Sequence, residues 1–93
     1  MTDDLQRLVD DLHDHLAATA DLAIDHRANR WLGEAEAVTA DVAAADLPAA
    51  TVRERIEHVR DLLANVGETE NAEADEHVAA AQELADRILD DSE

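Results

Sequence analysis

The chain has 93 residues and sets 24 Asp and Glu against 7 Arg and no Lys, for a formal charge of −17, which suits one small domain over residues 1–93. It has no Cys, a single serine at Ser92, and no run near the roughly 18 apolar residues of a bilayer crossing, which excludes a disulfide scaffold, a thiolate metal site and a membrane span. No basic footprint is available for phosphate, so nucleic acid is not an expected partner.

Only Gly33, Pro48 and Gly67 punctuate the chain, Trp31 is the sole aromatic residue, and β-branched residues are sparse, so the expected class is all-α. Thr2 is a good N-cap for a first helix, with Asp3 and Asp4 in the turn where the macrodipole favours anions. Its stripe is Leu5, Leu8, Val9, Leu12, Leu16 and Ala20. A second helix is expected from about Asp25 to Ala45, with Ala28, Trp31, Leu32, Ala35, Val38 and Val42 on its apolar face. No Gly or Pro separates these two, and Leu16, Ala20, Ile24, Ala28 and Trp31 could continue one stripe. A break near Asp21 to Asp25, with Asp25 as cap, is the preferred reading; a long bent first helix in a three-helix arrangement is the alternative. Gly33 inside the periodic pattern costs a helix about 1 kcal/mol relative to Ala, which close helix packing around Trp31 would explain.

Asp46-Leu47-Pro48 announces a third helix, with Pro in the first turn where its missing N–H does no harm. Val52, Ile56, Val59, Leu63 and Val66 form its stripe, and Gly67 is placed to be left-handed after its end. Residues 67–71 form a polar connection. A last helix then runs from Asn71 or Ala72 to Asp90, with Ala74, Val78, Ala81, Leu84, Ala85 and Ile88 inward. Short links between such helices imply an antiparallel up-down four-helix bundle.

Carboxylates alternate with regular apolar positions along the whole chain, so the charge is a solvated face rather than a disordered tail. The absence of Lys, where roughly five would be expected, joins 20 Ala, 14 Asp and 3 Ile in the profile of a high-GC halophilic archaeon. At about 1 M ionic strength the Debye length is about 3 Å, and repulsion that would strain the fold in dilute buffer is screened. The N-terminus Met1-Thr2-Asp3-Asp4 has neither the basic nor the apolar region of a signal peptide, so a cytoplasmic location is expected. Only 23 residues are Val, Ile, Leu, Met or Trp, a small core for a domain of this size. Strict salt dependence or a homodimer is therefore expected, with Trp31, Leu32 and Val38 as the interaction seam, although Trp31 also suits a core anchor.

The candidates for chemistry are sparse. His13 and His15 lie about 200° apart around a helix and cannot chelate one ion together. His26 and His58 project from flanks, and His77, on the edge of a stripe, has Glu73 one turn earlier as an ion-pair partner. Glu-x-x-His, the bundle di-iron pattern, is absent. Glu54 with Glu57 and Glu73 with Glu76 echo the paired carboxylates of all-α nucleoside triphosphate pyrophosphohydrolases, the alternative function. Their positions relative to the stripes point them outward, however, whereas magnesium needs them convergent. Arg53 and Arg60, flanked by Glu54, Glu57 and Asp61, read as intrahelical salt-bridge partners. No catalytic residue, cofactor or metal site is expected.

The runs Asn29-Arg30-Trp31-Leu32-Gly33-Glu34-Ala35-Glu36-Ala37-Val38, Val52-Arg53-Glu54-Arg55-Ile56-Glu57-His58-Val59-Arg60-Asp61-Leu62-Leu63 and Ala74-Asp75-Glu76-His77-Val78-Ala79-Ala80-Ala81 resemble a small uncharacterised family of haloarchaeal proteins. The resemblance spans nearly the whole chain, and the Trp-Leu-Gly-Glu-Ala-Glu run is its most specific part. It implies a halophilic archaeal source and a compact helical domain, and brings no catalytic residues with it. The functional expectation is a self-associating or protein-interaction module without catalytic activity of its own.

Overall fold

Four helices account for the structure, a computed structural model that describes residues 3–90: α1 (Asp3–Thr19), α2 (His26–Ala44), α3 (Ala49–Ala64) and α4 (Ala72–Asp90). The Thr2 cap expected for α1 lies outside the described residues. α1 stops without Gly or Pro; at its last residue the Thr19 hydroxyl donates to the Leu16 carbonyl at 2.6 Å, a bond that Thr39 also makes to Glu36 inside α2 without ending that helix. The Ala20 N–H turns to the Ala17 carbonyl at 3.1 Å, and the chain leaves the helix. The single bent helix is thereby excluded, and the break falls between Thr19 and His26.

Each later start has its own cap. The Asp25 side chain accepts from the Ala28 N–H at 3.3 Å at the head of α2. Pro48 is the N-cap of α3, one position before the first turn where the sequence placed it, and its carbonyl accepts from Val52 at 3.0 Å. At α4 the Asn71 side chain accepts from Ala74 at 3.0 Å. α3 ends in tight turns, Asn65 N–H to Leu62 and Val66 N–H to Leu63, after which Gly67 takes φ +63, the left-handed conformation expected of it.

The four helices form a closed ring: α1 packs on α2 and α4, and α3 packs on α2 and α4. Neighbours run antiparallel. Asp4 lies beside Arg87 and His15 against His77, so α4 is followed backwards as α1 is followed forwards. Gln6 near the start of α1 likewise donates to the Ala43 carbonyl near the end of α2 at 3.4 Å. Helices of 16 to 19 residues are about 24 to 29 Å long at about 1.5 Å per residue. That length accounts for the 35 × 22 × 17 Å body and its 12.4 Å radius of gyration.

Val9, Leu12, Leu16, Leu32, Ala35, Val42, Val52, Ile56, Val59, Leu63, Val66, Ala81, Ala85 and Ile88 fill the centre. The Ala positions let the helices approach closely, as their spacing implies. Leu8, Trp31, Val38 and Leu84 are half-buried at the margins of this core, and Ala20, beyond the end of α1, is exposed. Thr39 is buried as well, its hydroxyl satisfied by the Glu36 carbonyl at 2.9 Å. Gly33 corrects a sequence expectation. It is exposed, and a Cβ built there meets nothing within 4 Å, so no close packing around Trp31 requires it.

Candidate functional site

The seam residues separate by burial. Leu32 is 1% exposed and belongs to the protein's own core. Trp31 and Val38 are half-buried, packing on the core with one edge and lining the outer flank of α2 with the other. Arg27, Trp31, Glu34, Val38 and Asp41 recur at alternating steps of four and three, so they form one stripe along that flank. A cleft of about 440 Å³ opens there, lined by His26, Arg27, Arg30, Trp31 and Glu34. Arg27 and Arg30 make no ion pair among the described residues.

At the end of the bundle where α1 leads into α2 and α3 into α4, the two connections are tied together. The Asp25 N–H donates to the Thr69 carbonyl at 3.0 Å, and the Asn71 amide donates to the Ala23 carbonyl at 3.1 Å. Thr69 is fully buried. Its N–H and hydroxyl both donate to one Asp75 oxygen, at 3.0 and 2.8 Å. The Thr69 backbone N–H first, and its hydroxyl second, hold the Asp75 carboxyl below the usual carboxylate range. Nothing in the sequence pattern marks Thr69 as buried, because it lies in a connection that has no period.

Just inside that end His15 of α1 meets His77 of α4, with Nδ1 to Nδ1 at 3.0 Å. The ring centroids are 5.2 Å apart and the planes are tilted by 50°, and both residues are half-buried. One ring nitrogen donates and the other accepts, so the two rings hold different tautomers in this contact. The Glu73 partner expected for His77 is thus replaced by His15, and no ion pair joins His77 to Glu73 among the described residues. The contact spans 62 residues of sequence and depends on how far α1 slides along α4. Neither helix's own pattern encodes that offset. A cavity of about 390 Å³ lies beside His15, lined among others by Asp11, Asp14, Glu83 and Arg87.

The remaining candidates stay apart. Glu54, Glu57, Glu73 and Glu76 are all exposed, although α3 and α4 are neighbours. Among the described residues no group of three or more His, Asp or Glu side chains is placed to hold a metal ion. His26 and His58 are exposed, and His13 is half-buried. Arg60 reaches Asp86 of α4 at 3.8 Å rather than a carboxylate of its own helix, and both are open to solvent, which makes the pair weak. Arg53 is half-buried, and its Nε has no hydrogen-bond partner. No helix is long and apolar enough to cross a membrane among the described residues.

The profile of a family described as "Domain of unknown function (DUF8152)" matches residues 8–93, from the second turn of α1 onward. No curated protein and no solved structure matches the chain.

Proposed function

We propose that this chain, which belongs to that family of unknown function (DUF8152), is a non-catalytic, self-associating interaction module of the cytoplasm of a halophilic archaeon. The observation that carries the reading is the outer flank of α2. There Trp31 and Val38 stay only half-buried, next to Arg27 and Arg30, which form no ion pair among the described residues of a chain of charge −17. A second copy fits this flank by charge. Two α2 helices packed antiparallel about a two-fold axis near Glu34 set Arg27 of each copy against Asp41 of the other and Trp31 against Val38. Glu34 then faces its own copy across the axis, and molar salt screens this repulsion and the Arg27–Asp41 attraction alike. The source and the cytoplasmic location rest on the Lys-free, Asp- and Ala-rich composition.

Trp31 is the only tryptophan, so its emission reports on this flank and on the edge of the core it packs against. In molar KCl the emission should shift to the blue as protein concentration rises. An Arg27→Glu variant, whose side chain lies outside the core, turns the two Arg27–Asp41 pairs of the dimer from attractive to repulsive and should need about threefold more protein for the same shift, and adding Asp41→Arg should restore it. Emission independent of concentration would remove the proposal.

A further inference from the structure

We propose that the His15–His77 pair is a binding site for a divalent late transition-metal ion, copper(II) first. The two Nδ1 atoms already stand 3.0 Å apart on adjacent helices. An ion about 2.0 Å from both nitrogens closes an N–metal–N angle of about 95° over that separation, which suits two neighbouring corners of a square. The Irving–Williams order then places copper(II) above nickel(II) and zinc at imidazole donors.

In the metal-free pair one Nδ1 donates to the other, the rings meeting nitrogen to nitrogen with their centroids 5.2 Å apart. Each ring reaches the ion by turning about its soft terminal torsion, and the ring whose Nδ1 carried the hydrogen-bonding proton passes it through water to its own Nε2. Each neutral ring then holds its one proton on Nε2, which leaves both Nδ1 lone pairs for the metal.

The protein supplies two donors, and water completes the plane from the adjoining cavity of about 390 Å³. Asp11 and Asp14 of α1 and Glu83 of α4 line that cavity and give it negative potential against the single positive charge of Arg87. Acidic surface groups alone would attract many cations weakly. Two imidazoles meeting across a helix interface select for one, because imidazole nitrogen favours late transition metals over magnesium and calcium.

The test is a titration of the intact protein with copper(II) in molar KCl near pH 7.5, read by calorimetry and by electron paramagnetic resonance. One copper per chain with two nitrogen couplings is expected, with nickel weaker and zinc weaker still. His15→Gln and His77→Gln should each weaken binding by about tenfold or more, and His13→Gln should leave it unchanged. Affinity should fall as pH is lowered towards about 5.5, because protons compete for the same lone pairs. Several weak equivalents without nitrogen coupling would overturn the site. So would full affinity in either His15→Gln or His77→Gln, or an equal loss in His13→Gln. The nitrogen count is taken on the unaltered protein and needs no variant to fold.

Discussion

Gly33 is the residue whose role changes most between sequence and structure. It sits in the interior of α2, exposed, with open space where a Cβ would be. Glycine there only adds backbone freedom that folding must remove. Gly33→Ala should therefore raise stability by about 1 kcal/mol, read as a higher midpoint in thermal or urea unfolding, and a lower midpoint would refute it. Asp75 acts in the opposite sense. Its carboxyl is held low by the Thr69 N–H and hydroxyl, so the charged form is the one the fold prefers. That stabilisation is fully present above the ordinary Asp pKa of 3.8 and is lost as pH falls through the lowered folded value. Asp75→Asn should be less stable than the parent at neutral pH, and the difference should shrink as both are acidified below about pH 4. A difference independent of pH would mean that Asp75 acts through something other than its charge. The sequence spacing identified neither Thr69 nor the His15–His77 contact. One depends on a connection without period, the other on the offset between two helices far apart in the chain.

The helices themselves were legible, because the signals that set them are local. The 3.6-residue stripes, Asp25 before α2, Pro48 before α3 and Gly67 after it are properties of short windows, and each stands within a residue of its expected place. The end of α1 was harder to place, since it has neither Gly nor Pro and closes in a tight turn, Ala20 N–H to Ala17, that leaves no compositional mark. At this scale the caps carry the predictions. Asn71→Ala removes both the acceptor for Ala74 and the donor to Ala23, and should cost about 1 to 2 kcal/mol. Asp25→Ala, whose capping bond is longer at 3.3 Å, should cost less, about 0.5 to 1 kcal/mol. The reverse order in chemical unfolding would count against the tie between the two connections. Leu12→Ala, at a fully buried position of α1, should lose about 2 to 5 kcal/mol, a large part of a small domain's total stability.

The whole molecule is small relative to its own electrostatic field. A body of 35 × 22 × 17 Å with a charge of −17 lies within a few Debye lengths of about 10 Å at 0.1 M salt, against about 3 Å at 1 M. The described ion pair Arg60–Asp86 is open to solvent and offsets little of that repulsion. Lowering KCl from molar to about 0.1 M should reduce the unfolding midpoint and drive helix loss at 222 nm. Unchanged helicity and midpoint would show that the core stands without screening. Self-association draws on the same balance, since two copies bring their charges together and dissociate more readily as screening weakens.

The central claim is that two copies of this bundle meet along α2. Sedimentation equilibrium in molar KCl tests it most directly, because it reads mass without depending on shape. The prediction is a concentration-dependent species of twice the 10.1 kDa chain mass, dissociating at higher protein concentration in Arg27→Glu and recovered when Asp41→Arg is added. A 10.1 kDa particle at every concentration, or a dimer indifferent to Arg27→Glu, would contradict it.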